Sequence, residues 1–378
     1  MIASILIIIG SMLVIWRASD GFEAASQYLG RNLSDGVRGA TINAIGSSMP
    51  ELFTTFIGLV ALKNTDGFAF GVGTTAGSAI FNAMIIPAVV ILAVIGKRLT
   101  NGVTLSRKVV LRDGLSLIGV ELILIFLLSG NTLSWWHGLI LMLSYGVYLL
   151  IVFSSMTQKE NEENEENEEN EENIDESEKP SDQNLFISLL KLDLEDVFLR
   201  KGTNSANSWK LLIFSMVTIG IACAGLVGAC EQLALGMGIA PFFVAVILAS
   251  AATSVPDTII SVRDAFDGEY DDAVANALGS NIFDVCFALG FPLFMYALIY
   301  GDITMNSQTI SHVAELRGML LLLTIATFLL FLLNRKLKVI HGITLILFYV
   351  VFILYVLGRA YNHSWTDPIA SFFHQLFL

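Results

Sequence analysis

Two short stretches of this chain hold residues that could do chemistry. Glu51 stands in GSSMPELF (46–53) and Asp257 in ATSVPDTI (252–259), each an ionisable acid in an otherwise apolar run, with a proline just before it and two hydroxyls before that. An acid buried in a bilayer costs at least ~2.5–3.5 kcal/mol on insertion scales. Positive charge has to offset that cost. The proline removes a backbone donor and crowds the carbonyl four residues back, near Gly46 and Ala252, which opens the helix and lets carbonyl oxygens turn toward a ligand.

The two stretches are copies. AIGSSMPELFTTFIGLV (44–60) aligns with SAATSVPDTIISVRDAF (250–266) at one constant offset, pairing Ser47 with Thr253, Ser48 with Ser254, Pro50 with Pro256 and Glu51 with Asp257. A second echo follows each. GSAIFN (77–82) matches GSNIFD (279–284), pairing Gly77 with Gly279, Ser78 with Ser280 and Asn82 with Asp284. Carboxylates, hydroxyls and carbonyls are hard oxygen donors, a set that suits Ca2+ and Na+ and disfavours zinc or copper. Ca2+ takes about six to eight oxygens at ~2.3–2.6 Å. The expected donors are Glu51, Asp257, Ser47, Ser48, Thr253 and Ser254 with the carbonyls of Ala44 and Ser250. Gly77 and Gly279 are expected to let their helices approach closely, bringing Ser78, Asn82, Ser280 and Asp284 to the same cavity. The competing reading is that hydroxyls in membrane helices bond to their own carbonyls and that small-residue stripes serve packing. For Ser78 or Ser280 taken alone, packing is the better reading; for two acids repeated in register, function is. Glu121 and Glu231 lack the pattern, and Glu121 reads as a satisfied or lipid-shielded acid.

The elements that must position these groups are membrane helices. Of 378 residues 54% are hydrophobic and 15% charged, with a mean hydropathy of +0.70, beyond what a water-soluble domain needs. The formal charge of −13 is local, because residues 157–182 hold thirteen Asp or Glu against Lys159 and Lys179. Nothing in this composition suggests a nucleic-acid partner; the bilayer is the partner implied. Cys223, Cys230 and Cys286 are unpatterned and read as packing residues. The opening MIASILIIIGSMLVIW lacks a basic leader and reads as a first span rather than a removable signal.

A crossing helix needs ~20 apolar residues, which places spans near 1–16, 37–62, 68–95, 114–129 and 135–156, then 209–230, 238–263, 273–299, 315–333 and 339–358. The fold class is therefore an all-α polytopic membrane protein of ten transmembrane helices. Its units are an N-terminal five-helix half (1–156), an acidic loop (157–208) and a C-terminal five-helix half (209–378). The first motif lies in span two and its copy in span seven, so equivalent helices cross in opposite senses and the halves form an inverted repeat about an axis in the membrane plane. That axis should bring Glu51 and Asp257 together near mid-depth. One set of alternate connections holds twelve Lys or Arg, and the other, with the C-terminal tail, holds Lys63, Arg317 and Arg359. The imbalance puts both termini outside and the central loop in the cytoplasm. The triplet run NEENEENEENEEN (161–173) is too charged to bury anything and should be a disordered linker. LFISLLKLDLEDVFL (185–199) and the segment from Trp365 through Leu376 could lie on the membrane surface or pack on the body.

At these motifs the chain resembles the cation/Ca2+ antiporter superfamily, specifically over residues 39–91 and 245–292. SVPD followed by GSNIFD is most similar to the potassium-dependent Na+/Ca2+ exchangers. The resemblance implies exchange of Ca2+ for Na+ with Glu51 and Asp257 as central ligands, and it associates the acid matching Asp284 with K+ use. Independently, Glu51, Asp257 and Asp284 sum to −3, which Ca2+ plus one monovalent ion would neutralise. Ala252 departs from the family pattern, which usually has Gly there. The expected function is a secondary antiporter working by alternating access in a cell membrane, plasma or inner, with Ca2+, Na+ and K+ as cargo, no enzymatic activity and no cofactor. Oligomeric state is left open. The alternatives are a Ca2+/H+ exchanger, since a buried carboxylate also titrates; a cation channel; and, from another class, an intramembrane aspartyl protease, which lacks a GxGD motif and has Glu51 in place of one aspartate.

Overall fold

The computed structural model describes residues 1–29, 44–164, 192–200 and 204–377. Its long helices are α1 (Ile2–Leu29), α2 (Ala44–Ser47 and Met49–Leu62), α3 (Asn64–Gly96), α4 (Arg107–Leu127) and α5 (Trp135–Asn164). The second half repeats the order with α6 (Ser205–Met237), α7 (Pro241–Thr253 and Val255–Asp267), α8 (Tyr270–Tyr300), α9 (Ser307–Leu333) and α10 (Val339–Ala360). A final amphipathic helix, α11, spans Asp367–Phe377. The chain is thus a multi-pass helical membrane protein. Among the described residues seven of these helices are long and apolar enough to cross a bilayer alone, and the two parts of α7, bent by 40°, make an eighth if they count as one span. The first part of the expected second span and most of the acidic run lie outside the described residues. α4 has the length but carries Arg107, Lys108, Arg112, Asp113 and Glu121.

Local chemistry sets the helix ends. Asn204 and Asn306 cap α6 and α9 by accepting from the amides of Asn207 and Thr309, relieving donors with no partner in the first turn. Gly238 and Gly268 end α6 and α7 in the left-handed region, at φ 69° and 95°, where a side chain would be strained. α9 begins eight residues earlier than the hydropathy reading, because its first turns are polar. That places Arg317 inside a helix and fully buried. It is not a loop charge.

Two hydrophobic clusters organise the body. One joins α3, α4, α5, α8, α9 and α10; the other joins α1 and α6 with the neighbouring parts of α2 and α7. α3 and α8 are the most enclosed, with 61% and 67% of their most apolar windows buried. Equivalent helices pair across the halves: Gly114 of α4 lets Phe328 of α9 sit against its backbone, and the Asn281 amide of α8 donates to the Ala79 carbonyl of α3 at 2.9 Å. The short connections pair as well. At one end, β1 (Thr132–Leu133) runs antiparallel to β2 (Ile303–Thr304). At the other, Val103 and Leu337 form an isolated bridge. The loops after α4 and α8 meet in the first case and those after α9 and α3 in the second, which is the exchange an inverted repeat requires.

Two peripheral expectations are also resolved. α11 packs one face on the body, with Phe373 and Phe377 over Gly318 and the Phe377 carbonyl accepting from Arg317, and leaves Ile369, Phe372 and Leu376 exposed on the other. Of the segment 185–199, only the short helix Leu194–Leu199 is described; Leu194 is buried against Gly21 of α1. The helix of α5 continues to Asn164, into the start of the acidic run.

Candidate ion-binding site

Both prolines sit at the second position of a half-helix. α2 breaks at Ser48 and α7 at Ser254, with φ, ψ of −94°, 6° and −81°, 0°. The opening is one residue wide, since the backbone still closes from Leu52 to Ser48 and from Thr258 to Ser254. This is less unwinding than the proline argument suggests. Its effect is positional: Glu51 and Asp257 each fall in the first turn of a fresh helix, where unpaired amides and the helix dipole favour negative charge.

Glu51, Asp257, Asp284, Asn82, Ser47, Ser48, Ser78, Ser250, Thr253, Ser254 and Ser280 are all buried. Ser78 of α3 is the centre. Its hydroxyl lies 3.1 Å from Glu51 Oε1, 3.0 Å from Asp284 Oδ2 and 2.7 Å from the Ser254 hydroxyl. The two carboxylate oxygens are therefore at most 6.1 Å apart, the sum of their distances to Ser78. Asn82 Nδ2 lies 3.5 Å from Ser78 Oγ and donates to Asp257 Oδ2 at 3.2 Å, and the Ser280 hydroxyl donates to Asp257 Oδ1 at 2.8 Å. Glu51 and Asp257 thus meet through Ser78 and Asn82. Among the described residues, no three acidic, histidine or cysteine side chains already converge on one ion position.

A count of donors explains what the cavity asks for. A serine hydroxyl has one proton to give, and Ser78 faces two carboxylates. Oε2 of Glu51, Oδ1 of Asp284, Oδ1 of Asn82 and Oγ of Ser48 make no hydrogen bond of good geometry, although the Thr253 and Ser48 hydroxyls neighbour Glu51 and Asp284. Buried polar atoms are rarely left so, and no Lys, Arg or His among the described residues pairs with these acids. Unpaired oxygens with net negative charge fit hard cations.

Several expected donors are less free. The Ser250 carbonyl accepts from the Ser254 amide and the Thr253 hydroxyl, both at 3.1 Å, and the Ser250 and Thr253 hydroxyls bond back to Val246 and Ala249. Here the helix-internal reading of membrane hydroxyls holds. Ala44 is the first described residue of α2. Gly77 acts as expected, since a Cβ there would lie 2.5 Å from the Val246 carbonyl of α7. Gly279 does not, since a Cβ there would meet only the Tyr148 hydroxyl, at 3.5 Å. Sequence reasoning missed Asn276, whose amide reaches the Asp257 carbonyl at 3.4 Å and the Ser261 hydroxyl at 3.1 Å, and Asn281. Asn281 is the third letter of GSNIFD and aligns with Ala79, the residue it bonds, so the motif alignment carried that signal.

A buried knot of acids and hydroxyls thus lies between two half-broken helices of an inverted repeat. The family model described as sodium/calcium exchanger protein matches residues 3–154 and 207–358, and the chain belongs to that family. It is similar to sodium/potassium/calcium exchanger 3 of Rattus norvegicus, 39% identical over 121 residues that make up 32% of this chain and 18% of that protein. Sodium/potassium/calcium exchanger 5 of Homo sapiens is 27% identical over an alignment covering 90% of this chain and 80% of that one. For exchanger 3, the match spans less than a fifth of the relative's length. Among solved structures, the H+/Ca2+ exchanger CAX superposes with a TM-score of 0.62 at 12% identity, covering 99% of this chain and 92% of that one. The sodium-calcium exchanger NCX_Mj superposes with a TM-score of 0.53 at 19% identity, covering 93% and 98%. Those two likenesses concern the fold. The relatives are ion exchangers rather than enzymes, which leaves the protease alternative without support.

Proposed function

We propose that this protein exchanges Ca2+ for Na+ across a cell membrane, with K+ carried beside Ca2+, by exposing one shared site to each side in turn. The observation that carries the reading is the Ser78 knot: Glu51 from the first half and Asp284 from the second compete for one hydroxyl proton, and each keeps an oxygen without a hydrogen bond of good geometry. Bound cations would supply what that single hydroxyl cannot. Glu51, Asp284 and Asp257 act as carboxylate ligands, with Ser48, Ser78, Ser254, Ser280 and Asn82 completing the oxygen set and Ser47, Thr253 and the Ala44 and Ser250 backbone framing the breaks. Three carboxylates match Ca2+ plus one monovalent ion in charge, and competition of Na+ for the same oxygens couples the two fluxes.

The basic residues at alternate helix ends favour both termini outside, with residues 157–208 as a cytoplasmic linker between the halves.

The test is Ca2+ uptake into vesicles reconstituted with the protein, under an imposed Na+ gradient, with and without K+. Uptake should follow the Na+ gradient and require K+. Uptake driven by a pH gradient and indifferent to Na+ would replace this reading with Ca2+/H+ exchange.

A further inference from the structure

A second buried acid lies outside the ion site. Glu121 of α4 is fully buried at the crossing with α9. Its Oε1 accepts from the Thr324 hydroxyl at 2.6 Å; its Oε2 has no partner, and neither does the buried hydroxyl of Thr327 one turn along α9. Thr324 and Thr327 both line a cavity of about 10 Å³, closed by Gly114 and Leu117 of α4, Phe328 of α9, Ala83 of α3 and Leu278 of α8. Its wall is apolar and Glu121 is not among its lining residues, so it offers a water no polar partners.

The charged groups on the packed elements are engaged elsewhere. Asp113, two turns down α4, is paired with Arg112 at 2.7 Å and accepts from Tyr148 of α5. Arg317 of α9 gives its Nη atoms to the carbonyls of Ile125 and Phe377, while its Nε has no partner and is not paired with Glu121. α3 and α8 present Ala83 and Leu278. Among the described residues no basic side chain forms an ion pair with Glu121.

We propose that Glu121, with Thr324, is a second cation site, separate from the Ser78 knot, and that its occupant is a proton. A bare carboxylate sealed among apolar side chains needs its charge cancelled on the spot. A metal ion would cancel it but wants about six oxygens, and the contacts here offer the two carboxylate oxygens of Glu121 and the Thr324 hydroxyl. A proton needs no coordination shell. Placed on Oε2, it turns the carboxylate into a neutral acid, whose burial costs far less than that of an ion. The site lies behind α3 and α8, since Ala83 follows Asn82 and Leu278 is two residues from Ser280, so the proton's charge does not enter the count of transported ions.

The test uses the full-length protein in lipid and infrared difference spectroscopy of its carboxyl groups, comparing wild type with Glu121→Gln and Thr324→Val. Glu121→Gln should remove one protonated-carboxyl C=O band that in wild type shifts in D2O and is unchanged on swapping Na+ for K+. Thr324→Val should keep that band and move it to higher frequency, as the hydrogen bond to Oε1 is lost, a response that a purely structural role for Thr324 would not produce. If Glu121→Gln instead removes a carboxylate band, or one that moves between Na+ and K+, the occupant is a metal ion and the assignment to a proton is wrong. Should Glu121→Gln fail to fold, an unmoved carboxyl spectrum in Thr324→Val overturns the proposal equally.

Discussion

Glu51 and Asp257 hold the same place in the two repeats, yet their surroundings supply them unequally. Asp257 receives a full hydrogen bond on each oxygen, from Ser280 and from Asn82. Glu51 has half a claim on Ser78 and a second oxygen with no hydrogen bond of good geometry. The source of the difference is one substitution between repeats. Where α3 carries Asn82, an amide that donates, α8 carries Asp284, which can only accept when ionised. Local geometry departs at the same spot: α8 widens into a π-helical turn over Asp284–Ala288, while α3 stays α-helical through Asn82, and such turns gather at functional positions. The lesson is that an inverted repeat can place two acids symmetrically and still give them different tasks. Asp257 is held; Glu51 and Asp284 are left wanting charge.

The largest expected effect removes the less-provided acid. Glu51→Gln should lower Ca2+ uptake on the order of 100-fold or more, as loss of a charge partner in a desolvated site costs several kcal/mol; uptake within tenfold of wild type would mean Glu51 is not a ligand. Next comes Asp284→Asn, which makes the repeats alike at this position and drops the site from −3 to −2. It should abolish the stimulation of uptake by K+ while Na+-driven Ca2+ uptake persists, and a variant still stimulated by K+ would break the link between asymmetry and the monovalent ion.

Smaller still is the contrast between the equivalent serines. Ser78→Ala removes a hydroxyl shared by two acids and should weaken apparent Ca2+ affinity on the order of 10- to 100-fold, the worth of a hydrogen bond to a charged group. Ser280→Ala, whose target keeps Asn82, should cost less than tenfold, and equal losses would erase the distinction drawn between the halves. The smallest change concerns packing. Gly77→Ala must push α3 from the Val246 carbonyl and should destabilise by about 1–3 kcal/mol, seen as a lower melting temperature in detergent. Gly279→Ala has ordinary contact distance and should stay within about 0.5 kcal/mol.

Much of this was legible in the residue string. Nine of the ten expected spans coincide with helices to within a turn or two at most ends, α1 being the clear exception because it runs on past Arg17 to Leu29. The tenth begins outside the described residues. The breaks before Glu51 and Asp257 were readable because proline chemistry acts within one turn. What the string did not show were facts of three-dimensional crossing. Ser78 reads as a packing serine until α2, α7 and α8 converge on it. Gly279 looks like Gly77 until their neighbours are known. Arg317 reads as a loop charge because its partners are carbonyls 192 and 60 residues away in the chain, which no window of hydropathy contains. Glu121 reads as satisfied or shielded by lipid, and the α4–α9 crossing satisfies one of its oxygens through Thr324 and leaves the other bare.

The loop pairings at the two ends of the molecule bear on how the chain can be made. Thr132 finds its strand partner at Thr304, and Val103 finds Leu337, so connections formed early in synthesis must stay unmated until nearly the whole polypeptide has emerged. Contacts of such long sequence separation form late. The halves, though each looks like a module, are laced together and should not assemble when made as separate pieces that never meet.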